Sequence, residues 1–316
     1  MPKTAPPIVL LATATTLCAG CSDHRPQTVT HPVGDSTAIH VIRIAPAEQR
    51  DWPSGVERID YRSEIDGIED WALALPGPAS CTWVVHIHGH GSSGDQIFTR
   101  PDIRQSWLPV YLRHGFGVLS VNLRGNAWMS PAAAADLHAL LRWARFHYRV
   151  RRLLLVSGSM GGTSNLIYAT RYPEDVAGVV ALCPATDLAS YEAWCRRQEG
   201  PPVLREIADA IRTAYEGDPA RPTAMFHAHS TLARADALTM PVYVVHGDAD
   251  TIIPVSQSRS LAMALHGRSS FRYVELPGGD HELPLRHMEA GLAWILDRLS
   301  PVSDSHPAGK HKALAR

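Results

Sequence analysis

Ser159 lies in the run Ser157-Gly158-Ser159-Met160-Gly161-Gly162, directly after the apolar segment Leu153-Leu154-Leu155-Val156. A serine on a tight turn between a buried strand and a helix has its hydroxyl pushed out of the fold, where it can attack an electrophilic carbon. Such a turn needs small residues two positions before and two after the serine, because backbones crowd there. Ser157 and Gly161 occupy those positions, with serine where glycine is usual, and Gly162 lets the following helix pack close. A serine hydroxyl is a weak nucleophile until a base takes its proton and a third group orients the base. Both residue types follow, in the order acid then histidine. Residues 241–245 read as a buried strand running into His246-Gly247-Asp248-Ala249-Asp250-Thr251-Ile252-Ile253-Pro254, which offers Asp248 and Asp250 as competing acids. Residues 271–276 read as the next strand, ending in the glycine-rich Pro277-Gly278-Gly279-Asp280-His281-Glu282, which presents His281. His246 reads as a packed strand-end histidine, Asp280 as a loop carboxylate, and His287 as a residue of the last helix, too far along to compete.

A second chemistry is written in His86, His88 and His90. If they lay on one strand they would share a face, and three histidines on a face can bind zinc. Gly89 and Gly91 break such a strand, and no downstream carboxylate pattern completes a metalloprotease motif. The segment is therefore expected to be a loop braced by His88, with no metal.

Taken together, Ser159-Met160-Gly161-Gly162, His246-Gly247-Asp248-Ala249-Asp250 and Gly279-Asp280-His281 resemble the α/β-hydrolase superfamily, more narrowly its prolyl-oligopeptidase-like and dienelactone-hydrolase-like esterase branch. The resemblance covers roughly residues 84–299. It implies an α/β-hydrolase fold: a mostly parallel central sheet with helices on both faces and a small lid insertion. It also implies Ser159 as nucleophile and His281 as base. Asp250 is favoured over Asp248, because the family pattern is His-Gly-x-x-Asp followed by a β-branched residue and proline. His88-Gly89-His90-Gly91 resembles the His-Gly-Gly-Gly loop of esterases with His90 in place of one glycine, so the backbone amides of Gly89 and His90 join that of Met160 as oxyanion donors. The activity implied is cleavage of carboxylic esters, small-molecule or polysaccharide-linked, through an acyl-enzyme and without a cofactor. A peptidase of the same fold and a non-catalytic binding protein are the alternatives.

Strand and helix signals alternate along the body, the pattern of a parallel sheet with helices on both faces. Strands are expected at 58–63, 71–75, 84–88, 118–122, 153–157, 176–183, 242–246 and 271–276, and helices include 132–147 and 285–299. In the first helix Leu137, Leu140, Leu141 and Ala144 recur at three- and four-residue spacing. The stretch 187–235, with Trp194, Tyr215, Phe226 and a helix-like run over 203–215, is expected to form a lid or pocket wall. Trp128, after the fourth strand, is a candidate for the substrate pocket or for packing over the neighbouring helix.

With 316 residues and 45% hydrophobic content, the chain suits one large α/β domain over residues 41–299. A net charge of −1 offers no electrostatic case for nucleic acid. Residues 1–20 read as a lipoprotein-type signal peptide: Lys3 precedes an apolar run too short to span a bilayer permanently. Ala19-Gly20-Cys21 resembles a bacterial lipobox, with Cys21 lipidated, residues 21–40 a polar tether, and the protein in the periplasm or on the outer membrane. The tail 300–316 is expected to be disordered. Cys81, Cys183 and Cys195 remain. Whether Cys183 and Cys195 pair, or all three stay thiols, is open at this point.

Overall fold

The computed structural model describes residues 39–78, 81–215 and 222–299. The expected signal peptide, Cys21 and the tail lie outside the described residues, as does the tether up to residue 38. Among the described residues nine strands form one sheet: β1 Ile39–Pro46, β2 Glu57–Ser63, β3 Glu69–Leu75, β4 Thr82–Ile87, β5 Gly117–Val121, β6 Arg152–Gly158, β7 Gly178–Leu182, β8 Val242–Gly247 and β9 Phe271–Leu276. Their spatial order is β1-β2-β3-β5-β4-β6-β7-β8-β9. The β1–β2, β2–β3 and β3–β5 pairs are antiparallel, and every pair from β5–β4 through β8–β9 is parallel.

The helices are α1 Gln96–Thr99, α2 Pro101–Ser106, α3 Leu108–Arg113, α4 Pro131–His147, α5 Met160–Arg171, α6 Leu188–Arg197, α7 Pro202–Ala214, α8 Pro222–Ala228, α9 Ser256–Ala264 and α10 Met288–Leu296. They cover both faces of the sheet. On one face Val85, Leu155, Ala181 and Val244 pack with α4, α5 and α9; on the other Val84, Leu154, Val180 and Val245 pack with α1–α3 and α10. Alternate residues of each central strand therefore enter different cores, which is why these strands read as unbroken apolar runs rather than alternating ones. None of the described helices is long and apolar enough to cross a membrane.

Most element ends shift by one to three residues from the sequence expectation, and three departures have a local reason. Strand β7 stops at Leu182 rather than residue 183, because Cys183 turns into the left-handed region at φ 44°. The final helix begins as a 3₁₀ turn, Leu283–His287, before α10. The Leu285 carbonyl there accepts from the Trp107 indole at 3.1 Å. Strand β1 has no counterpart among the expected strands. A register shift between Val41 and Arg43 breaks its alternation, and Ile42 and Ile44 on this edge strand are exposed.

Candidate active site

The turn from β6 into α5 holds Ser159 at φ 56° and ψ −128°, a strained conformation for a side-chain-bearing residue. It is fixed from several sides. The Ser159 N–H donates to Leu182 O at 2.8 Å, and its carbonyl accepts from the Thr163 N–H at 2.9 Å. A Cβ at Gly161 would stand 2.0 Å from Ile87 O, so glycine is the residue that lets α5 pass the end of β4. Ser157, where glycine is usual, has a task of its own: the Ile87 N–H donates to its hydroxyl at 2.9 Å, tying the end of β4 to the turn.

His281 reaches Ser159 from the loop after β9. Its Nε2 lies 2.9 Å from Ser159 Oγ, and its Nδ1 lies 2.7 Å from Asp250 Oδ2. Of the two competing acids, Asp250 is the one that meets His281. Asp248 Oδ1 instead accepts from the Gly278 N–H at 2.6 Å, bracing the loops after β8 and β9 against each other. A Cβ at Gly247 would come within 2.2 Å of Gly279 O, so that close approach also depends on glycine. Asp280 accepts from the Glu282 and Leu283 N–H groups and caps its own loop. His287 ends the 3₁₀ turn and makes no contact with Ser159 or Asp250 among the described residues.

The Asp250 side chain is fully buried and fully engaged. Its Oδ1 accepts from the Ile252 and Ile253 N–H groups at 2.8 and 2.9 Å, and Oδ2 meets both His281 and, at 3.2 Å, His246 Nε2. Burial alone would raise its pKa, but the hydrogen bonds from His246, His281 and the Ile253 amide outweigh that and hold the carboxyl well below the usual range. His246, buried at the end of β8, thus does more than pack. Nothing in its position in the sequence distinguished that contact. For His281, burial disfavours the imidazolium, yet Cys183 beside it and the hydrogen bond and charge of Asp250 hold its pKa above the ordinary value.

The three N-terminal histidines do not converge. His86 contacts Val156 O and Gln96 Oε1, His88 contacts Gly89 O and Asn122 O, and His90 accepts at Nδ1 from Trp128 Nε1–H. The strand ends at Ile87, so His88 and His90 share no strand face with His86. Among the described residues, the metal-ligating atoms that do come together are those of Cys183, Asp250 and His281, all within 4.8 Å of one another. The last two already hydrogen-bond each other in an arrangement suited to moving a proton. Cys81, Cys183 and Cys195 are all free thiols, so Cys183 and Cys195 are not paired.

The three oxyanion candidates differ in what their amides already do. The Gly89 N–H donates to Gln96 Oε1 at 3.1 Å. The N–H groups of Met160, at the start of α5, and of His90 have no acceptor among the described residues. Gln96 lies seven residues beyond Gly89, on a short helix with no motif, so no local pattern signals this engagement. A cavity of about 200 Å³ opens beside Ser159 and His281. Ile103, Val203, Ile207, Ile252 and Leu285 give it apolar walls, and His90, Arg100 and Glu282 add polar groups. Val203 and Ile207 belong to α7, so the 187–235 stretch does wall the site. Arg100 joins Asp102 and Glu282 at the rim. Trp128 is not in the cavity wall; it is 1% exposed and stands behind His90.

The α/β hydrolase fold family model matches residues 82–202. A monoacylglycerol lipase of Mycolicibacterium smegmatis is 33% identical over 143 residues, 37% of this chain and 51% of the lipase, so the match spans about half the length of that relative. Among solved structures, an esterase of Pyrococcus furiosus superposes with a TM-score of 0.58 at 16% identity, covering 78% of this chain and 92% of the esterase. A puromycin-hydrolyzing peptidase of Mycobacterium tuberculosis does so with a TM-score of 0.54 at 17% identity, covering 84% of this chain and 38% of the peptidase. At such identities the likeness is one of fold.

Proposed function

With an α/β hydrolase fold match over residues 82–202 and a triad-like contact chain at its centre, we propose that this α/β hydrolase is a serine hydrolase that cleaves carboxylic esters through a Ser159–His281–Asp250 triad. The observation that carries this reading is the continuous contact chain from Ser159 Oγ through both nitrogens of His281 to a buried, ionised Asp250. In the first step Ser159 Oγ attacks the acyl carbon while its proton passes to His281 Nε2. The N–H groups of Met160 and His90, both free of other acceptors among the described residues, hold the oxyanion, worth about 3 kcal/mol per donor. His281 then returns the proton to the departing alkoxide, leaving an acyl-enzyme and an alcohol. A water attacks the acyl carbon with His281 again as base, and the acid is released. Asp250 stays ionised throughout, holding the imidazole in place and stabilising its charged form. The small, largely apolar cavity supports a small-molecule ester.

The test is intact-protein mass after exposure to a fluorophosphonate, with turnover of short-chain acyl esters measured beside a panel of short peptides. A single adduct with faster ester turnover is expected. Absence of an adduct on folded protein sinks the serine-hydrolase reading, and faster peptide cleavage transfers the site to peptidase chemistry.

Export with lipidation of Cys21 belongs to the same reading and is supported by Leu17-Cys18-Ala19-Gly20-Cys21-Ser22. In a bacterial host the full chain is expected to take up radiolabelled palmitate, and Cys21→Ala to lose that label. Equal labelling of both would rule it out.

A further inference from the structure

Within that reading of the site, we infer that the His90 imidazole is a specificity-determining hydrogen-bond donor, aimed at an ether or hydroxyl oxygen on the ester substrate. An indole N–H can only donate. At its contact with Trp128 Nε1–H, 3.3 Å away, His90 Nδ1 must therefore be the acceptor and carry no proton. The neutral ring then has its hydrogen on Nε2.

Trp128 is well placed to enforce this tautomer. It is buried, packs at 5.6 Å from the Tyr191 ring, and sits in a left-handed turn at φ 47°. That turn is held by the Tyr215 hydroxyl, which donates to the carbonyls of Trp128 and Met129 at 2.9 and 3.0 Å. His90 Nε2–H has no acceptor among the described residues, and His90 lines the cavity that holds Ser159 and His281. Burial of the ring pushes its pKa down against the pull of the Glu206 charge, which favours the neutral form.

A polar donor facing a mostly apolar cavity, locked in one tautomer by a buried partner, is an arrangement for reading a substrate oxygen. The His90 amide is also a proposed oxyanion donor, so the ring starts close to the scissile carbonyl. The oxygen it reads therefore lies a few bonds away, on the acyl or the alcohol side. The class of substrate is an oxygen-bearing ester, such as a 2-alkoxy acid ester or a monoester of a polyol.

Two isosteric pairs test this. Methoxyacetyl against butyryl p-nitrophenyl esters places an oxygen on the acyl side. The 2-hydroxyethyl against the propyl ester of butyric acid places one on the alcohol side. Within each pair the ratio of kcat/KM is compared between variants, so intrinsic reactivity cancels. His90→Phe is expected to lower the oxygenated-to-hydrocarbon ratio by about five- to ten-fold in at least one pair. Trp128→Phe, which keeps a ring but frees the tautomer, is expected to lower the same ratio at least about two-fold. If His90→Phe folds and leaves both ratios unchanged, or slows both members of each pair equally, the inference is overturned. If His90→Phe does not fold, an unchanged ratio in Trp128→Phe overturns it. Failure of the wild type to turn over any of the four esters instead overturns the esterase reading on which the inference rests, and the inference with it.

Discussion

Alanine at Ser159 is expected to reduce kcat for ester hydrolysis by roughly 10⁴- to 10⁶-fold and to abolish the fluorophosphonate adduct. The size follows from the arrangement. His281 Nε2 has the Ser159 hydroxyl as its partner at 2.9 Å, and without that oxygen the proposed mechanism has neither its acyl-enzyme nor its first proton transfer. What survives is the rate due to binding and the oxyanion donors, with water as the nucleophile. The fold should tolerate the change, because the backbone bonds of Ser159 to Leu182 and Thr163 do not involve its side chain. The measurement is kcat on a short-chain ester alongside the thermal midpoint. Activity above about 1% of wild type in a folded Ser159→Ala protein would move the nucleophile elsewhere.

The substitution Asp250→Asn carries the second large effect, a loss of about 10⁴-fold in kcat. It would present an amide where a carboxylate now accepts from His281 Nδ1 and from two backbone amides. That amide would favour the wrong tautomer and no longer stabilise the imidazolium. The pH dependence follows with a definite sign. In the proposed mechanism His281 acts as base only when neutral, and its pKa is held above the ordinary imidazole value of about 6.5. Wild-type kcat/KM should therefore fall as pH is lowered through that raised value. Removing the Asp250 charge removes one of the causes that raise it, so the acid limb should move to lower pH in Asp250→Asn. Asp248→Asn is the control. The Asp248 hydrogen bond goes to the Gly278 backbone, so its loss should weaken the loop and leave the limb where it was. A profile of kcat/KM from about pH 5 to 9 for the three proteins decides between the acids. An Asp250→Asn enzyme within about ten-fold of wild type, or with an unmoved limb, would end the assignment.

The two kinds of information divide along physical lines. The apolar runs at residues 153–156 and 242–245 made buried strands legible, because strands covered on both faces leave an uninterrupted hydrophobic record. Strand β1 left no such record: it is an edge strand with a register shift, half in solvent. The 3₁₀ turn before α10 was equally silent, since the Trp107 indole that takes the Leu285 carbonyl comes from 178 residues away in the chain.

The same division holds at the site. Ser159 and His281, the proposed nucleophile and base, stood out in the sequence because each sits in a local pattern, a strand-to-helix turn and a glycine-rich loop after a strand. Both patterns are set by backbone crowding that neighbouring residues must satisfy. The choice of Asp250 over Asp248 rested on resemblance alone, for two aspartates in one loop are chemically alike until the fold decides which faces the histidine. Tertiary structure alone supplied His246 against Asp250, Gln96 on the Gly89 amide, and Trp128 behind His90. It also kept Cys183 and Cys195 as separate thiols. The sequence by itself thus determined which residue types stand at the ends of which strands. Only the packed sheet decided which of them touch, because hydrogen bonds of about 3 Å between residues distant in the chain are products of strand order and loop approach, and neither leaves a mark in local spacing.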